Sequence, residues 1–169
     1  MFEKKRAVFF DRDGTLNVDV DYLHEIEKFR WIDGAKESIK FCNENNFLAI
    51  VVTNQSGIAR GFFTENDVKK LHKFMQTDLE KIGAHIDGFY YCPHHPEAKI
   101  ERYRRECDCR KPKPGMILRA CKDFNIDKEH SFLIGDSPRD VESAERAGLC
   151  KGIPFSGINL LDTLKNSLR

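Results

Sequence analysis

Short apolar runs that stop abruptly at polar clusters constrain this chain more than any other feature. Arg6-Ala7-Val8-Phe9-Phe10 stops at Asp11-Arg12-Asp13-Gly14-Thr15, and Phe47-Leu48-Ala49-Ile50-Val51-Val52 at Thr53-Asn54-Gln55-Ser56-Gly57. Gly88-Phe89-Tyr90-Tyr91 stops at Cys92, and Ser131-Phe132-Leu133-Ile134 at Gly135-Asp136. The runs are β-branched or aromatic and do not alternate with polar residues. That pattern belongs to parallel strands covered on both faces. Helical periodicity fills the intervals. Ala35, Ile39 and Cys42 mark one helix, and Val68, Leu71, Met75, Leu79 and Ile82 a second. Ile117, Leu118, Cys121 and Phe124 mark a third, Val141, Ala144 and Ala147 a fourth, and Leu161, Leu164 and Leu168 a last one. Thr64 with Asp67 predicts a capping box, and Ser137-Pro138 an N-cap with proline at the first helical position. Strands alternating with helices predict a doubly wound α/β fold, and 169 residues fit one domain, 1–169. The last strand and helix, after Gly148, are the least defined.

In an open parallel sheet the carboxyl ends of the strands form the ligand crevice. Such a fold gathers Asp11, Asp13, Thr53 and Asp136, which lie far apart in sequence. Carboxylates crowded together repel one another unless they share a hard cation, and oxygen ligands suit Mg²⁺. Lys111, the Thr53 hydroxyl and loop amides can then hold an anion beside the metal, as phosphoryl transfer requires.

The stretch from Cys92 to Pro114 breaks the alternation. It is polar, lacks an apolar period, and holds Cys92-Pro93-His94 and Cys107-Asp108-Cys109. Three thiolates and an imidazole suit a closed, structural Zn²⁺ site that staples the loop at 92–110 and places Arg110 and Lys111 directly after the last ligand. His94 is preferred to its neighbour His95 as the fourth ligand. Cys42, Cys121 and Cys150 read as core thiols, and Arg102, Arg104 and Arg105 as a solvated face.

Charge narrows the partners. Twenty-eight basic against 27 acidic residues leave a net +1, which argues against a general nucleic-acid binder. No apolar run approaches a membrane span, and the charged start lacks the features of a signal peptide, so a cytoplasmic protein is expected, as a monomer.

"FFDRDGTLN" (9–17), "VVTNQSG" (51–57), "RKPKPGM" (110–116) and "IGDSPRD" (134–140), in that order, resemble the four motifs of the haloacid dehalogenase (HAD) superfamily of phosphatases. The resemblance implies that Asp11 is the nucleophile and forms an aspartyl-phosphate. Asp13 would protonate the leaving oxygen and then activate water, and Thr53 and Lys111 would hold the phosphoryl group. It further implies that Asp136 holds Mg²⁺ with Asp11 and the Asp13 backbone carbonyl. Asp140 either orients that shell or caps a helix.

Only a loop and a helix fit between Asn17 and Phe47, so the fold is expected to be capless. "DRDGTLNVD", "YLHEIEKFRWIDGA", "VVTNQSGIARGFFTE", "YYCPHHPE" and "CDCRKPKPGM" are similar to capless, zinc-loop members acting on sugar bisphosphates. The implied substrate is a heptose 1,7-bisphosphate losing its 7-phosphate on the way to lipopolysaccharide precursors, with histidinol phosphate as the alternative and a non-catalytic zinc-stapled module as the bland one. On that resemblance Asp19, Val20, Asp21, Tyr22, Thr53, Asn54, Gln55, Ser56, Arg110 and Lys111 would contact the sugar bisphosphate. Ser137 departs from the pattern, because a basic residue often follows the metal aspartate in close relatives.

Overall fold

The computed structural model describes residues 2–169. Five parallel strands form one sheet in the order β3-β2-β1-β4-β5: β1 Arg6–Phe10, β2 Phe47–Asn54, β3 Gly88–Cys92, β4 Phe132–Gly135 and β5 Lys151–Pro154. The connecting helices are α1 Ala35–Glu44, α2 Glu65–Glu80, α3 Gly115–Phe124, α4 Pro138–Ala147 and α5 Leu160–Ser167.

Strand periodicity divides β1 between two cores. Val8 and Phe10 join Ala49, Val51 and Ile134 on one face, under Ala35 and Ile39 of α1, Leu71, Met75 and Leu79 of α2, and Leu160 and Leu164 of α5. Ala7 and Phe9 join Ile50, Val52 and Leu133 on the other, under Met116, Ile117 and Ala120 of α3 and Ala144 and Ala147 of α4. Double coverage is why the strands read as unbroken apolar runs. No helix among the described residues is long and apolar enough to cross a membrane.

The helix-start signals hold. Thr64 and Asp67 form a reciprocal capping box on α2, and Ser137 and Asp140 another on α4 with Pro138 in its first turn. Several inward assignments shift. In α3 the buried face is Met116, Ile117 and Ala120, while Leu118 is 42% exposed. In α5 it is Leu160 and Leu164, so Leu161 sits one position off the inward stripe. Ile82 lies beyond the end of α2 and packs only partly on the core. Of the three cysteines expected in the core, Cys42 is buried, Cys121 partly so, and Cys150 exposed at the turn into the edge strand β5.

The loop after β3 is folded on its own terms. Tyr103 and Ala98 are buried in a small third cluster with Ile58, Ala59, Phe63 and Val68. The Tyr103 and Tyr91 hydroxyls donate to the two carboxylate oxygens of Glu65, at 2.8 and 2.7 Å, and so dock the loop on the start of α2. Arg102, Arg104 and Arg105 are exposed, as expected. Yet Arg104 donates back to the Ala98 and Lys99 carbonyls, so this face also closes the loop on itself.

Candidate active site

Register brings the polar strand ends together. Phe10 pairs with Val51 and with Ile134, so the residues after β1, the end of β2 and the residues after β4 emerge at one level. The Asp11 amide continues the ladder by donating to the Ile134 carbonyl at 3.1 Å. The chain then turns tightly: the amides of Thr15, Leu16 and Asn17 all point at the Arg12 carbonyl. Gly14 sits in this turn at φ +86°, and a Cβ there would lie 2.1 Å from an Asp136 carboxylate oxygen. Only glycine lets the β1 loop approach Asp136 so closely.

At the centre lies Lys111, 4% exposed. Its Nζ donates to Asp11 Oδ1 at 2.7 Å, to Asp140 Oδ1 at 2.7 Å and to the Val52 carbonyl at 2.8 Å. An ammonium carries three donors, and all are used. Burial works against the charge of Lys111, but Asp11 and Asp140 overcome it and raise its pKa. Asp140 serves two structures at once, since its other oxygen accepts the Ser137 amide in the α4 capping box. Burial pushes Asp11 up to about 8 against the pull of Lys111.

Asp11, Asp136 and Asp140 present carboxylate oxygens that all lie within 4.8 Å of one another. Lys111 bonds two of these three carboxylates, and the exposed Asp136 accepts no hydrogen bond among the described residues. Excess negative charge in a partly buried site calls for a cation, and an all-oxygen set suits Mg²⁺. A divalent ion there would pull the Asp11 pKa back down.

Asp13 lies outside this carboxylate group but lines the same cavity. It accepts from Arg12, from Asn17 Nδ2 at 3.0 Å and from Gln55 Nε2 at 3.0 Å. Gln55 also donates to the Thr53 hydroxyl at 2.9 Å. Asn54 exchanges two hydrogen bonds with the Lys111 backbone, at 3.1 and 2.9 Å. The side-chain amides of Asn54 and Gln55 hold Lys111, Thr53 and Asp13 in place, and both residues also line the cavity where the substrate is expected.

These groups open into a cavity of about 300 Å³. Asp19, Asp21, Tyr22, Ser56 and Arg110 line it, and Val20 does not. Asp21 and Tyr22 take left-handed backbone angles, φ 46° and 57°, a strain typical of functional loops. Arg139 also lines the cavity, and sequence reasoning passed it over. Its position in the first turn of α4 was the available signal, because Ser137 is committed as the N-cap. Burial, and then the charge of Arg139, lower the pKa of Arg110, whose Nη1 is buried without a partner.

Cys92, His94, Cys107 and Cys109 form the other cluster, every donor atom within 4.8 Å of the rest. Cys92 Sγ lies 3.5 Å from Cys107 Sγ and 2.9 Å from Cys109 Sγ, and His94 Nδ1 lies 3.7 and 3.4 Å from Cys92 and Cys109. Zinc–sulfur bonds of about 2.3 Å place tetrahedral sulfurs about 3.8 Å apart, so a central ion would part the Cys92 and Cys109 sulfurs by about 0.9 Å and leave the Cys92–Cys107 spacing close to its present value. His95 instead accepts the Glu97 amide and stays outside the cluster.

A family described as HAD-hydrolase-like matches residues 108–153, which carry Lys111, Asp136 and Asp140. D-glycero-β-D-manno-heptose-1,7-bisphosphate 7-phosphatase of Pasteurella multocida is 50% identical over 143 residues, 85% of this chain and 77% of that protein. The enzyme of that name from Haemophilus ducreyi is 45% identical over 97% of this chain and 94% of its own length. The chain belongs to the HAD-like phosphatases. Among solved structures, a D,D-heptose 1,7-bisphosphate phosphatase from B. bronchiseptica, complexed with magnesium and phosphate, superposes with a TM-score of 0.79. It is 28% identical, over 95% of this chain and 86% of that one. This HAD-like phosphatase thus has the parallel sheet and the capless build that its motifs implied.

Proposed function

We propose that this phosphatase removes the 7-phosphate of D-glycero-β-D-manno-heptose 1,7-bisphosphate. One observation carries the reading: a buried aspartate held by Lys111, with the Asp136 carboxylate beside it, at the mouth of a polar cavity lined by arginines. The names of the relatives support the sugar and its β anomer. Asp11 attacks phosphorus while its Oδ1 is held by Lys111. The bond from phosphorus to the sugar oxygen breaks, and Asp13 gives that oxygen a proton. Asp13 then takes a proton from the water that hydrolyses the aspartyl-phosphate. Thr53 offers its hydroxyl to a phosphoryl oxygen, and Lys111 attracts the phosphoryl group by its charge. Asp11, Asp136 and the Asp13 carbonyl would hold Mg²⁺, which when bound draws charge from the phosphoryl group.

Asp19, Asp21, Tyr22 and Ser56 would meet the sugar, and Arg110 with Arg139 the second phosphate. Arg139→Ala is therefore expected to raise KM for the bisphosphate roughly tenfold or more, the scale of one hydrogen bond to a charged group. KM for the heptose 7-monophosphate should stay near that of the wild type. Steady-state kinetics on bisphosphate, monophosphate and histidinol phosphate, with and without Mg²⁺, test both statements. Preference for histidinol phosphate would refute the sugar assignment.

Cys92, His94, Cys107 and Cys109 would bind a structural Zn²⁺. One zinc per chain is expected by metal analysis. Chelation should expose residues 104–110 to proteolysis, while the segment around Tyr103 stays docked through Glu65. Unchanged cleavage after zinc removal would refute this role.

A further inference from the structure

Arg12 heads the largest fully buried side chains, an unusual place for a guanidinium. Its Nε donates to Asp13 Oδ1 at 3.2 Å, and its Nη2 to both Asp13 oxygens at 3.0 and 3.2 Å and to the Leu23 carbonyl at 3.1 Å. The remaining nitrogen, Nη1, meets His72 Nε2 at 3.2 Å. A guanidinium can only donate, so His72 Nε2 accepts and the imidazole proton sits on Nδ1. His72 is 5% exposed on α2 and stacks on Phe89 of β3, centroids 4.4 Å apart and planes 16° from parallel. Burial, and then the charge of Arg12, keep the ring uncharged. His72 does not line the cavity.

A guanidinium is planar and rigid, so anchoring one nitrogen sets the plane in which the others face their partner. The His72 ring is itself fixed between α2 and β3. We infer that His72 is a positioning residue for catalysis: through the Arg12 fork it sets the place of the Asp13 carboxyl, which must reach the leaving sugar oxygen. This inference rests on the reading of Asp13 as the proton donor. Without the Nη1 anchor, only the Leu23 carbonyl holds the Arg12 fork from behind, so the fork can tilt and Asp13 leans more on its Asn17 and Gln55 contacts. The cost falls on the step in which the proton passes from Asp13 to the departing alkoxide as the phosphorus–oxygen bond breaks. A leaving group that departs without a proton is spared.

The test compares kcat/KM for the heptose bisphosphate, an alkyl phosphate, with that for p-nitrophenyl phosphate, whose phenolate leaves unaided. His72→Phe keeps the stack on Phe89 and removes the acceptor, and His72→Leu replaces it should that chain not fold. His72→Gln retains an acceptor. His72→Phe is expected to lose on the order of tenfold or more on the bisphosphate and less than about twofold on the aryl ester, the scale of a misplaced reacting group. His72→Gln should remain within about threefold of wild type on both substrates, as a preserved acceptor requires. Equal losses of His72→Phe on both substrates, or none, would overturn the role of His72. Asp13→Asn in the same assay separates the two ideas. A selective alkyl loss there without one in His72→Phe refutes only His72, whereas a non-selective loss in Asp13→Asn refutes the proton-donor reading itself.

Discussion

Asp11→Asn should leave a folded protein whose kcat on the heptose bisphosphate falls by roughly 10⁴-fold or more, the scale on which removal of a covalent nucleophile is measured. The amide keeps the shape of the carboxylate and can still accept from Lys111. It cannot attack phosphorus to give an acyl phosphate that water then opens. Folding should be spared because Lys111 keeps its acceptors: the amide oxygen, Asp140 and the Val52 carbonyl. Removing one of three clustered carboxylates also relieves repulsion. The melting temperature without Mg²⁺ should therefore match or exceed that of the wild type, while the rise on adding Mg²⁺ should shrink. Calorimetry with and without the metal, beside single-turnover kinetics, checks both. Residual turnover within tenfold of wild type would remove Asp11 from the nucleophile's role.

Strands β1 to β4 and the starts of α2 and α4 were legible in the sequence because one local rule wrote each of them, whereas the edge strand β5, Lys151-Gly152-Ile153-Pro154, carries no apolar run. A doubly covered strand needs an apolar residue at every position, and a helix start needs a side-chain acceptor for its free amides. The inward faces of α3 and α5 were less legible. Each is a short helix with adjacent apolar residues, Ile117-Leu118 and Leu160-Leu161, and periodicity alone does not say which of two neighbours turns inward. Only the sheet it packs on decides that.

The candidate site divides in the same way. Asp11, Thr53, Lys111 and Asp136 sit at strand ends or in a motif whose order suffices to place them. The uses of Asn54 and Gln55, and the Asp140 bond to Lys111, depend on contacts across 57, 42 and 29 positions of chain, which no local pattern carries, whereas the Asp140 cap was readable. Arg12 shows the limit best. An arginine between two aspartates reads as a surface ion pair, yet here the turn buries it completely and sends it to His72 on a distant helix.

Lys111→Met should unfold the protein more readily than any change at the rim of the cavity. Lys111 is 4% exposed, and its partners Asp11 and Asp140 have side chains only 12% and 2% exposed. Taking away the shared cation leaves two buried carboxylates facing each other, and breaking such a pair costs about 3–5 kcal/mol. For a domain of this size that corresponds to a drop of roughly 10 °C in melting temperature. The loss arises from stranded charge and not from lost packing, since methionine fills much of the same space. The double variant Lys111→Met/Asp140→Asn should therefore be more stable than Lys111→Met alone. Asparagine keeps an oxygen for the Ser137 amide, so the α4 cap survives while one stranded charge disappears. Coupling of this sign in a double-mutant cycle, read from urea unfolding without Mg²⁺, is the expected result. Strictly additive losses would mean that Lys111 acts through packing. Activity should not return in the double variant, because the cation that attracts the phosphoryl group is still missing. Stability and turnover would then separate at a single side chain.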